Sequence, residues 1–235
     1  MFGLLSIHLI IIVPFFAFRY MTQRINSYSP TDMLPIKGVS KLLLIPLLLF
    51  GMFVVQGFSN KNQLLKKCNV DMTQTAFMTS AIVIFLIFGL IISLIESVPM
   101  LKRPFDHTFG YFLCGMNVET VRTVINKIYI PNLRNNESNV LESILSNESL
   151  MVNTVTPTNF QMKLLPLKIP NNANNNNALM KYYNLVLRKD LIGSMAIYII
   201  AAALAILINI ESMNNIKCKK TDEDIIKNLT SLNLE

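Results

Sequence analysis

The polar residues with the most chemical promise lie in one stretch, Glu96 to Glu119, which begins where a long apolar run stops. It holds a carboxylate at the end of that run, an Arg103-Pro104-Phe105-Asp106 turn, the glycines Gly110 and Gly115, and a second carboxylate at Glu119. A carboxylate at the depth of a membrane helix is costly unless it faces protein or water, so a functional role is the first hypothesis for Glu96. The plainer alternative is a solvated residue at the interface that merely ends the helix, and spacing alone leaves both open. On that plainer view Arg103 binds lipid headgroups and Asp106 caps the segment that follows it. Other chemistry finds less support. Cys68, Cys114 and Cys218 are far apart and odd in number, without metal-ligand spacing, and suggest no disulfide framework. His8 and His107 are the only histidines, which argues against a histidine-rich metal or haem site. Cys114 lies near His107, but that spacing arises readily by accident, and no Ser/His or paired-His arrangement supports an independent enzyme.

The elements that must position this stretch are those of a membrane protein. Hydrophobic residues make up 52% of the chain and charged residues only 15%, where a soluble domain carries about a quarter charged. Four apolar runs, Phe2–Phe18, Leu42–Phe58, Phe77–Ile95 and Leu191–Ile210, reach or approach the roughly 20 residues needed to cross the hydrocarbon core. The first two are short for that and could be tilted or protein-buried. Met1–Phe18 has no Lys or Arg before its apolar run, which ends in Arg19-Tyr20 instead of a small-residue cleavage site, so it reads as a retained first membrane helix. The net charge of +7 reflects Lys and Arg at helix ends. Lys66, Lys67 and Lys217, Lys219, Lys220 are too scattered for a nucleic-acid surface.

The expected fold is therefore all-α: a polytopic membrane protein with about four transmembrane helices, amphipathic surface segments and an Asn-rich irregular insertion. Residues 1–131 form the membrane region, 132–178 the polar insertion, 179–211 an amphipathic lead-in and last membrane helix, and 212–235 an exposed tail. A turn-prone linker follows the first helix and leads into an amphipathic piece around Leu34–Leu42. Pro46 interrupts the second helix and is tolerable there if neighbours satisfy the freed carbonyl. Ser59–Gln74 reads as a polar loop. Gly89 and Ser93 form a small-residue pair suited to close helix packing. Pro99 and Pro104 should stop helical continuation. Val118–Ile130 resumes helical periodicity until Pro131, and a short helix is expected near Val140–Met151. Leu179–Lys189 places Lys181, Arg188 and Lys189 on a polar side before the last helix. The abundance of Asn and absence of Trp hint at AT-rich coding.

Three segments, in order, resemble one family: NADH dehydrogenase subunit 1, the quinone-site membrane subunit of respiratory complex I. Its best-known segment reads Ala-Glu-Thr-Asn-Arg-x-Pro-Phe-Asp, then an acidic run, then Gly-Phe-Asn-x-Glu. Glu96 resembles the first glutamate, Arg103-Pro104-Phe105-Asp106 the Arg-x-Pro-Phe-Asp core, and Gly115-Met116-Asn117-Val118-Glu119 the end. Tyr20-Met21-Thr22-Gln23-Arg24 and Leu34-Pro35-Ile36-Lys37 resemble a second segment after the first helix, and Tyr183-Asn184-Leu185 with Lys189 a weaker third. The chain departs from the family in having about four helices instead of eight, four residues inserted between Glu96 and Arg103, and Phe109-Gly110-Tyr111-Phe112 where the family has its acidic run.

The resemblance implies a non-autonomous subunit of a proton-translocating NADH:ubiquinone oxidoreductase in the mitochondrial inner membrane, encoded in the organelle. Arg24, Arg103, Phe105 and Asp106 would be quinone-tunnel loop residues, and Glu96 and Glu119 proton-relay carboxylates. The chain itself would bind no cofactor and no metal. Ubiquinone would be the substrate, with FMN and iron–sulfur clusters held by partner subunits, and the partners would be other complex I subunits and the lipid bilayer, not nucleic acid. The competing reading is a non-catalytic membrane scaffold of another organellar complex, or a membrane-anchored viral structural protein.

Overall fold

The structure is a computed structural model that describes residues 2–24, 39–113, 153–160, 162 and 173–218. Among these residues the chain is helical, with no strand. Four helices are long and apolar enough to cross a membrane, over Leu5–Gln23, Leu44–Cys68, Thr73–Ser97 and Asn176–Asn215. The all-α expectation and the count of four candidate spans therefore hold. The expected helices over Val118–Ile130 and Val140–Met151, together with Glu119 and Cys114, lie outside the described residues.

Helix α1 covers Phe2–Gln23 with Pro14 inside it, and α2 covers Val39–Cys68 with Pro46 inside it. Both are longer than their apolar runs. Ser59–Cys68, expected as loop, continues α2, and only residues 69–72 separate it from the next helix. Two local devices make the tight turn. Asn69 takes the left-handed conformation, φ 52°, that ends helices, with its amide on the Leu65 carbonyl. Asp71 then accepts from the Thr73 amide at 2.9 Å and from the Thr73 hydroxyl, and these bonds hold its carboxyl below the ordinary value. Helix α3 spans Thr73–Ser97, with a wider π-helical stretch at Ile82–Phe88.

Pro99 and Pro104 behave differently from each other. Val98 breaks the helix, and Pro99 opens a new one, α4, at a first-turn position where its missing N–H costs nothing. Pro104 sits inside α4, which runs on through a π-helical turn at Asp106–Gly110 to residue 113. The expected stop at Pro104 and the expected Arg-Pro-Phe-Asp turn are thus corrected to helix. Likewise one helix, α5 (Ala173–Asn215), joins the lead-in to the last apolar run and takes Asn174–Asn177 into its first turns.

The chain divides into two compact units. One comprises Met1–Ile11, Ile45–Leu94 and Ile200–Glu235. Its core includes Met52, Val83, Phe88 and Ile206, and at one end Leu64, Met72, Ala76 and Met213 pack together with Cys68 and Ile216 against them. A disulfide joins Cys68 to Cys218 across 150 residues, correcting the expectation of no disulfide. Beside it the Lys67 ammonium donates to the carbonyls of Met213, Asn214 and Ile216 at 3.1, 2.7 and 3.0 Å. A cation there satisfies orphan carbonyls and complements the negative end of α5. Gly57 admits the Phe77 ring, which a Cβ would meet at 2.5 Å, whereas Ser93, expected to pair with Gly89 in a packing face, is exposed.

The other unit comprises Ile12–Leu44 and Ile95–Ile199. Here Phe16 meets the buried Tyr198 edge to face at 5.0 Å, and Phe160 lies against Tyr182 at 5.4 Å. This second unit holds nearly all of the polar residues singled out from the sequence.

Candidate functional site

Glu96 ends α3 and is bound on two sides. The Arg19 guanidinium, 3% exposed, donates to Glu96 Oε1 at 3.2 Å, and the Tyr198 hydroxyl donates to the same oxygen at 2.8 Å. Arg19 also lies over the Phe16 ring, 5.9 Å from its centre. Three helices, α1, α3 and α5, are thereby tied together by one carboxylate. In a low-dielectric setting such an arrangement survives because each charge is paired and hydrogen-bonded. Glu96 is thus neither a solvated helix end nor an uncompensated carboxylate.

A second charged cluster forms where α4 crosses α5. Gly110 and Gly193 make the approach possible: a Cβ on Gly193 would collide with Asp106, and one on Gly110 with the Lys189 carbonyl. Asp106 is consequently buried, and its Oδ1 has no hydrogen-bond partner among the described residues. Lys102 sits between two carboxylates, 2.6 Å from Asp190 and 4.0 Å from Asp106, so its charge goes mainly to Asp190. Burial pushes Asp106 up to about 7, against the opposing pull of Lys102. His107 moves the other way, lowered by burial and by the positive charge of Lys189 and Arg103.

This crossing forms one wall of a cleft of about 570 Å³. Arg103, Asp106 and His107 contribute from α4, Lys189 and Asp190 from α5, and residues 153–156 with Asn159 close the remaining side. That last segment holds its own shape, the Thr156 amide donating to Asn159 Oδ1 at 2.7 Å and Asn159 Nδ2 to the Thr154 carbonyl at 3.2 Å. The cleft therefore offers cations, amides and hydroxyls in a partly dry setting, a donor set that suits ligand binding.

The residues singled out from sequence do not converge on one point. Arg103 and Asp106 share the cleft. Phe105 stacks instead on Phe109, ring centres 6.3 Å apart, and Arg24 is exposed just past the end of α1. Arg19, Tyr198, Lys102 and Asp190 were missed. Arg19 carries a signal in the sequence, a cation closing the first apolar run as Glu96 closes the third.

A third polar cluster belongs to the other unit. Asn60 Nδ2 donates to Ser80 Oγ and Asn209 Oδ1, both at 2.8 Å, Asn209 Nδ2 returns a bond to Asn60 Oδ1 at 2.9 Å, and Gln56 adds a longer one at 3.3 Å. All four side chains are buried. Reciprocal amide bonds of this kind link α2, α3 and α5 where water is excluded. Among the described residues no group of three or more His, Cys, Asp or Glu side chains is placed to hold a metal ion. Comparison with family models, curated proteins and solved structures finds no significant match to the chain.

Proposed function

We propose that the chain is an integral membrane protein crossing the bilayer four times, acting by binding within a larger assembly, with the cleft beside Asp106 as its ligand-facing site. The observation that carries this reading is the pairing of apolar helices of spanning length with polar groups that bond across helices. The buried Arg19, Asn60 and Asn209 find their partners within the protein, as groups excluded from water must. Affinity purification of the tagged chain from its native membrane, followed by peptide identification, tests the assembly part. A chain recovered alone, at the size of a monomer, would defeat it.

A narrower reading is favoured by one observation, that Arg103 and Asp106 line the same cleft. In this reading the chain is a shortened quinone-site subunit of respiratory complex I in the mitochondrial inner membrane, with Glu96 and Glu119 as relay carboxylates and ubiquinone as substrate. It rests on the motif resemblance. Native electrophoresis with in-gel NADH dehydrogenase staining tests it, and absence of this chain's peptides from the active band rejects it. A non-catalytic scaffold of another organellar complex or a membrane-anchored viral structural protein is then the reading that remains.

A further inference from the structure

We propose that the cleft between α4 and α5 binds a phosphate-bearing anion, supplied by an anionic phospholipid headgroup or by free phosphate. The proposal rests on the membrane reading for its lipid source and on the cleft's own residues for its chemistry. Arg103 is exposed at the cleft, and no carboxylate of the described residues forms an ion pair with it. The positive charges of Arg103 and Lys189 both act on His107, so the cleft wall carries a positive field. Of the two carboxylates that line the cleft among the described residues, Asp190 is held by Lys102 at 2.6 Å. The other, Asp106, is buried with no partner for Oδ1 among the described residues and lies against the Gly193 backbone. A guanidinium with a planar fork of donors is well suited to phosphate oxygens.

Placement points to lipid as one source. Helix α4 starts two residues after the last residue of α3, Ser97, and carries exposed Met100, Phe109 and Phe112 beside its basic residues. Such a helix fits the boundary between acyl chains and headgroups, where basic pockets at the ends of membrane helices take anionic headgroups. The cavity of about 570 Å³ is large enough for a glycerol phosphodiester headgroup.

Binding is linked to a proton. Asp106 faces Lys102 on its own helix and Asp190 and Lys189 on α5, with Arg103 and His107 beside it. Pushed up to about 7 by burial, it is largely neutral below that pH and repels an anion above it. His107 is held below its ordinary value by burial and by the nearby cations. A phosphodiester does not titrate near neutrality, so a change in its affinity there reports the protein.

The experiment uses the full chain in neutral detergent. Phosphatidylglycerol and phosphatidylcholine are titrated in mixed micelles and read by native mass spectrometry, with inorganic phosphate as competitor. Saturable binding of phosphatidylglycerol over phosphatidylcholine is expected, weakened about tenfold by Arg103→Gln and partly restored by Arg103→Lys. Affinity should fall roughly eightfold from pH 6.5 to 8, and Asp106→Asn should flatten that dependence. Displacement by phosphate supports a free anion as an alternative source, and its failure to displace assigns the site to lipid. Equal binding of the two lipids without phosphate binding, or an unchanged Arg103→Gln variant, overturns the proposal. Extraction of the chain from membranes by alkaline carbonate tests the membrane reading separately: a chain that resists extraction yet binds neither probe sinks the anion site alone.

Discussion

Arg19 and Glu96, 77 residues apart in the chain, meet at 3.2 Å where α1 and α3 end, with Tyr198 of α5 on the same carboxylate oxygen. The pair makes Glu96 a structural carboxylate before it is anything else. Glu96→Gln keeps a hydrogen-bond acceptor for Tyr198 but leaves the buried Arg19 charge uncompensated. It should lower stability by about 2 kcal/mol, and Arg19→Met by a similar amount, with the double variant recovering part of the loss. Thermal unfolding of the three variants in one detergent measures this; strictly additive losses would show that the pair contributes no coupling.

The Asn60–Asn209 amide pair makes a second prediction. Asn60 serves Gln56, Ser80 and Asn209 together, whereas Ser80 keeps a bond to the Ala76 carbonyl at 2.8 Å. Asn60→Ala should therefore cost about 1–2 kcal/mol and Ser80→Ala less. The same unfolding assay ranks them, and the reverse order would contradict the network.

The Cys68–Cys218 bridge closes a loop of 150 residues onto the end where Lys67 caps α5. Its loss through Cys68→Ser should destabilise the chain by about 2–4 kcal/mol. Alkylation before and after reduction, read by peptide mass, checks the pairing itself. Cys68 free to alkylate in the native, unreduced protein would refute it.

Asp106 predicts a pH effect on the α4–α5 crossing. A carboxyl raised from 3.8 to about 7 in the folded chain binds its proton more tightly than when unfolded. Its contribution is fully present below about 4 and is lost as pH rises through about 7. Limited proteolysis within α4 should accordingly be slower at pH 6 than at pH 8, and Asp106→Asn should remove the difference. Gly193→Ala, which drives a methyl into Asp106, should speed cleavage at both pH values.

Much of the helical plan was readable because apolar runs of spanning length leave few alternatives. The structure departs from the sequence pattern where polar stretches stay helical. Ser59–Cys68 is polar, yet it stays helical because one face carries Leu64 into the core with Met72 and Met213. Proline spacing predicts a stop at Pro104, but α4 begins at Pro99, so Pro104 falls within the first two turns, where the carbonyl it displaces has little helix before it. The charge pairings were beyond reach for a different reason. Neither Arg19 nor Asp190 reveals its partner, because Glu96 and Lys102 lie on other helices and only packing brings them close. The disulfide was hidden likewise: 150 residues of chain separate cysteines that become neighbours only once α2 and α5 pack side by side.

Whether these helices cross a membrane can be read at α3, because exposed residues flank both of its ends. Lys66→Cys and Arg103→Cys, each in a Cys114→Ser background, would be treated with a membrane-impermeant thiol reagent on sealed vesicles of known orientation. If α3 crosses, one variant is labelled from outside and the other only after the vesicles are opened. Labelling of both from the same side would contradict it.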